Sequence, residues 1–157
     1  MKELKIEIVY NATYGGFNLS EEAKEYIIKE LCKIYNISYK KVKANSIIRE
    51  KEFRISKEDY NKLSEYHKKW FYNWEEDKYA VFNDSDIPRY DKLLVEAVKN
   101  VNDPSGQFAK LKIAVIDEPR FMIDEYDGFE SVVTPNSIDW EIADTEEVRE
   151  EYPEYFI

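Results

Sequence analysis

The chain has 157 residues with 33 acidic and 23 basic side chains, a formal net charge of −10, 15% aromatic residues and only four glycines. A chain of this length buries roughly two-thirds of its unfolded surface without a disulfide or metal staple, so one domain over residues 1–157 is expected. The lone Cys32 and lone His67 exclude an intramolecular disulfide and a structural zinc site of the Cys/His type, and a reducing compartment suits them.

Charges interrupt the apolar positions of Met1–Glu7, and no window reaches 18 apolar residues, so neither a signal peptide nor a membrane span is expected and the assignment is cytoplasmic. Asn-x-Ser/Thr triplets such as Asn11-Ala12-Thr13 then carry no glycan. The charge is unevenly spread. Residues 1–70 hold 15 Lys/Arg against 11 Asp/Glu, residues 71–157 hold 8 against 22, and from Asp117 onward 14 acids face only Arg120 and Arg149. Such a field repels nucleic acid and membranes and attracts basic partners.

In chain order, Leu4, Ile6, Ile8 and Tyr10 alternate with Lys5, Glu7 and Val9 and predict a first strand with its even residues inward, ending at Asn11. Gly15 and Gly16 follow, and Ser20-Glu21-Glu22 then opens a helix to about Tyr35 with Ala23, Ile27, Leu31 and Ile34 on its inner stripe. Val42–Ile55 reads as one or two short strands. Ser56 opens a second helix through a capping box with Asp59, and its stripe runs Tyr60, Leu63, Tyr66 or His67, Trp70 and Trp74. That helix has more aromatic surface than one core face needs, so Trp70 and Trp74 are candidate partner contacts, with full burial as the plain alternative.

Asn83–Pro88 is turn chemistry, and Asp91 is placed to cap a helix carrying Leu93, Leu94, Ala97, Val98 and Val101. Leu111–Ile116 is apolar almost throughout, as a central strand covered on both faces would be. Phe121–Tyr126 could pair with it through the turn at Asp117–Arg120. Asp127-Gly128 is a tight-turn signal before a short strand Phe129–Val133. Residues 134–157 read as loop and a short acidic helix. The fold class is α+β, a mainly antiparallel sheet of about four strands with helices on one face; the runner-up pairs the first strand in parallel with Leu111–Ile116.

Catalytic templates find little purchase. Gly15-Gly16 lacks the third glycine and the lysine of a phosphate loop, no serine sits in a nucleophile elbow, and a single histidine must serve any triad. No catalytic residue, cofactor or metal is assigned, although Asp124, Glu125, Asp127 and Glu130 gather around one turn. Arg89 carries a fork of donors fitted to a carboxylate of that turn or to a ligand anion, and the internal pair is favoured.

The stretches "YGGFNLSEEA", "DIPRYDKLLVEAV" and "AKLKIAVID" followed by "IDEYDGFESVV" resemble a family of small uncharacterised proteins of bacteriophages and large DNA viruses. The match covers residues 4–35 and 85–133. Tyr90-Asp91-Lys92 stands where that family often has His-Asp-Pro. The resemblance implies a viral accessory protein and a shared core, with residues 37–78 an elaboration upon it, and it implies no reaction.

Two functions follow. The first is a non-enzymatic accessory protein that binds and modulates a host or defence protein, one with a basic surface by preference, through Trp70, Trp74 or the acidic face of Glu146, Glu147, Glu150 and Glu151; exposed aromatics also allow a homodimer. The second is a binder of, or enzyme on, a small phosphorylated ligand or nucleotide. Its cleft would join Gly15, Gly16, Phe17, Arg89, Asp91, Lys112, Tyr126, Asp127 and Glu130.

Overall fold

A computed structural model describes residues 3–43, 51–137 and 141–156 of the chain. Among them are eight strands and five α-helices. Strand β1 (Ile6–Asn11) is followed by helix α1 (Glu21–Tyr35), β2 (Lys40–Lys43), β3 (Lys51–Ser56), α2 (Lys57–Lys62), α3 (Glu65–Lys68), β4 (Phe71–Tyr72) and β5 (Tyr79–Phe82). Then come α4 (Lys92–Asn100), β6 (Leu111–Ile116), β7 (Met122–Tyr126), β8 (Phe129–Val133) and α5 (Glu146–Glu151), with 3₁₀ turns at Pro135–Ser137 and Pro153–Phe156. The class is α+β, and every strand pairing is antiparallel.

A four-stranded sheet exists, but its order is β2-β3-β5-β4, and the strands most evident in the sequence lie outside it. β1 pairs with β6, Ile6 opposite Ile116 and Asn11 opposite Leu111, which overturns the parallel alternative. β7 pairs with β8 through the Asp127-Gly128 turn and not with β6. The expected cover on both faces of β6 is also corrected: Lys112 and Val115, three positions apart and so on opposite faces, are both exposed, and among the described residues β1 is its one ladder partner. β1 is instead the doubly covered strand. Helix α4 and strand β8 both pack on it, so Ile8, Val9 and Asn11 are all buried and the simple even-position alternation fails.

The core is continuous. Phe53 and Ile55 of β3, Ala80 and Phe82 of β5, and Leu63, Trp70 and Phe71 pack in one cluster with Ala23, Ile27, Ile28 and Leu31 of α1 and Leu94 and Ala97 of α4. Period-two spacing on the strands and the i, i+4 spacing on α1 supply these inward faces. Ser20 caps α1 by accepting from the Ala23 amide, and Asp91 caps α4 by accepting from the Leu93 and Leu94 amides. The long aromatic helix is not formed. Ser56 does cap a helix, accepting from the Asp59 N–H, but Ser64 caps a second one after a break at Leu63, and the chain then turns into β4. Two hydroxyl caps so close together offer the backbone competing starts, and burial of Leu63 and Trp70 from separate segments settles the competition. Within the expected strand region Val42–Ile55, residues 44–50 lie outside the described residues.

Candidate functional site

Most residues assigned to the cleft do come together, at the end of β1 where three turns meet. The Asn11 side chain is fully buried and saturated: its Nδ2 donates to the carbonyls of Thr13 and Gly128, each at 2.9 Å, and its Oδ1 accepts from the Lys110 amide at 2.8 Å and the Thr13 hydroxyl at 3.4 Å. Its backbone N–H donates to Glu130 Oε1 at 2.8 Å. Glu130, buried on β8, meets Arg89 in a two-bond fork, Nη1 to Oε1 at 2.6 Å and Nη2 to Oε2 at 2.8 Å. The guanidinium lies 3.6 Å from the centre of the Phe17 ring, and the Arg89 carbonyl accepts from the Val9 amide at 2.9 Å. A flat, weakly hydrated cation held between a carboxylate and an aromatic face is an arrangement that arginine alone among the side chains can make.

The glycines close this knot. A Cβ on Gly15 would fall 1.8 Å from the Phe108 carbonyl oxygen, and one on Gly128 would fall 2.6 Å from that of Tyr14. Gly128 also has φ +88°, beside Asp127 at +50°, as a tight hairpin turn requires. Backbone therefore occupies the space where a ligand would sit, and Arg89 and Glu130 satisfy one another. The expected open cleft is corrected to a closed, hydrogen-bonded junction. Electrostatics explains the outcome: a guanidinium and a carboxylate brought together away from water gain more from pairing than from waiting apart for a ligand.

The remaining candidates scatter. Asp91 is spent on its helix cap, and its second oxygen accepts from the Tyr66 hydroxyl at 2.7 Å; burial first, and this bond next, raise the Tyr66 phenol well above its ordinary value. Lys112 stands exposed on the outer edge of β6, and Tyr126 projects from the hairpin tip. Trp70 is fully buried beside His67, so its assignment as a partner contact is corrected: its ring fills the core under α3. Trp74 is half exposed and stacks on Tyr72 with ring centres 5.1 Å apart. His67 shares its Nδ1 with the hydroxyls of Tyr35 and Ser64, and burial holds its pKa below the ordinary value. Glu146, Glu147, Glu150 and Glu151 are exposed on α5, where Thr145 supplies the cap.

Two residues escaped the sequence reading. Asn11 reads as a strand terminator although it binds the three turns together, and an amide side chain at the exit of an apolar run was its only sequence signal. Phe108 has φ +65° with an exposed ring, a conformation no local residue pattern announces. Among the described residues no three His, Cys, Asp or Glu side chains are placed to hold a metal ion, and no helix is long and apolar enough to cross a membrane. A groove of about 470 Å³ lies beside the start of α1, lined by residues including Asn18, Lys24, Lys51, Tyr72, Asp84 and Gln107. No protein-family model matches the chain, and neither do the curated proteins or the solved structures that were searched.

Proposed function

We propose that the protein is a non-enzymatic accessory protein of the viral type, acting in the cytoplasm of a host by binding and modulating a host or defence protein through an acidic surface. The observation that carries this reading is the segment 141–156. It holds seven carboxylates and one arginine, and every residue in it is exposed apart from the half-buried Val148 and Phe156. Helix α5 packs chiefly on the 3₁₀ turn that follows it, leaving Glu146, Glu147, Glu150 and Glu151 facing solvent. Glu146 and Glu147 suit the first turn of α5, but Glu150 and Glu151 stand in its last turn, next to the negative end of the helix, so that part of the face is not arranged for the helix's own stability. A basic surface would neutralise it and would be steered to it at long range.

Affinity capture from infected-host lysate, followed by binding of the captured protein across a range of salt, tests the proposal. Reversing the four charges (E146K, E147K, E150K, E151K) is expected to weaken the complex and flatten its salt dependence. Unchanged affinity and salt slope would remove the acidic face from the function.

A further inference from the structure

We infer that the turns around the glycine knot form a second contact surface, independent of α5, that takes arginine-bearing segments of another protein. Four aromatic side chains are displayed there. Tyr14 is 65% exposed, Phe108 75% and Tyr126 78%, and Phe129 is partly exposed beneath them. They lie on neighbouring turns: Tyr14 and Phe129 have ring centres 5.3 Å apart, Tyr126 lies directly opposite Phe129 in the β7–β8 ladder, and the Phe108 Cβ lies against Gly15, next in sequence to Tyr14.

Phe108 gives the reason to read this display as functional. Its φ of +65° is strained for a bulky side chain, and glycine would hold the same backbone freely. Its ring buries little in return. The main chain is fixed by its neighbours, with the Phe108 carbonyl accepting from the Thr13 hydroxyl at 2.7 Å. An aromatic ring kept at a position that disfavours it, and mostly exposed to water, contributes little to folding against the strain. Strained backbone next to exposed aromatic surface is the pattern expected where a side chain is retained for contact.

Charge selects the occupant. From Phe121 to Val133 the hairpin has no lysine or arginine, and its register puts Asp124 on the face of Tyr126 and Phe129 with Asp127 in the turn between them, Glu125 and Glu130 lying on the other face. Glu130 belongs to Arg89 and one Glu125 oxygen accepts from the Gly128 amide, which leaves Asp124 and Asp127 at the rim. Aromatic faces edged by carboxylates suit guanidinium groups, which stack on the ring and pair at the edge at once; ammonium groups do only the second well. A second copy of a chain with net charge −10 suits this rim poorly.

The test uses the full-length chain carrying the four α5 reversals, so that the C-terminal face cannot be the binder. A short peptide of alternating glycine and arginine, its lysine counterpart and a neutral one are titrated in by calorimetry, and backbone amide shifts are followed by NMR. The arginine peptide is expected to bind, shifting amides at 14–16, 107–109 and 126–129, with the lysine peptide about two- to fivefold weaker per stacked side chain. Tyr126→Ala and Phe108→Gly should each weaken the arginine peptide, and Phe108→Gly should leave Tm unchanged or raised. Equal binding of the two cationic peptides, shifts lying elsewhere, no binding, or a fall in Tm for Phe108→Gly would overturn the inference. So would a dimer in sedimentation that Tyr126→Ala dissociates, since the surface would then belong to a second copy.

Discussion

Among the described residues one motif occurs twice, in two very different settings. At the knot, Arg89 forks onto Glu130 and stacks on Phe17; at the C-terminus, Arg149 forks onto Asp144 and stands 4.5 Å from the centre of the Phe156 ring. The side chains of the first pair are 21% and 8% exposed, those of the second 57% and 56%. The groups are nearly identical and their weight in the fold is not. In the knot the carboxylate also accepts from the Asn11 amide, so it ties two strands, β1 and β8, and the loop of Arg89 together. In the C-terminal segment the arginine and its acid are five residues apart and tie the segment only to itself. Burial and long sequence separation, more than the identity of the partners, decide how much an ion pair holds.

The sharpest break in that contrast comes from Arg89→Ala or Glu130→Ala. Each strands a buried charge and is expected to destabilise the fold by about 3 kcal/mol, the lower end of the range for breaking a buried pair, because Arg89 keeps some contact with water. Urea unfolding measures it. A loss under about 1 kcal/mol for both would show that the knot is no stronger than a surface pair.

The glycine turns sharpen the comparison next. Gly16→Ala meets open space and is penalised only for its φ of +87°, about 1–2 kcal/mol. Gly128→Ala has the same penalty plus an overlap with backbone atoms of Tyr14 and Gly16, so it should be the more destabilising of the two, and should shift Asn11 and Glu130 amides in an NMR spectrum. Equal losses would mean that the two turns do not press on one another.

Legibility from sequence followed the same division. Local signals were accurate: Ser20 and Asp91 cap their helices, and Asp127-Gly128 turns its hairpin, because a cap or a turn is decided by residues within a few positions. Strand partners were harder. Leu111–Ile116 reads as a central strand from its apolar content, yet it pairs in a two-stranded ladder with β1, while the middle of the separate four-stranded sheet belongs to β3 and to the short β5, whose four residues carry no clear strand signal. The aromatic helix failed for a related reason: a stripe at helical spacing from Tyr60 to Trp74 cannot show that Ser64 restarts the helix and Phe71 leaves it for a strand. Gly15, Arg89 and Glu130, which the sequence motifs suggest as neighbours, do lie at one junction. Whether such a group encloses a cleft or seals one depends on ångström-scale backbone approach, and residue types do not encode that.

The smallest effect is expected from Arg149→Ala, and it is the more telling for being small. The Arg149 hydrogen bond to Asp144 holds that carboxyl below its ordinary pKa. A carboxyl depressed in the folded state adds stability above its ordinary pKa and loses it as pH falls through the folded value. Here both groups are open to solvent, which screens the pair and gives the unfolded chain nearly as good an environment. Arg149→Ala should therefore return the Asp144 titration, followed by carbonyl NMR, upward to its ordinary range while Tm stays where it was. A titration shift accompanied by a clear drop in Tm would mean that the C-terminal pair fastens the segment to the body of the fold, and the two copies of the motif would then differ in degree and no longer in kind.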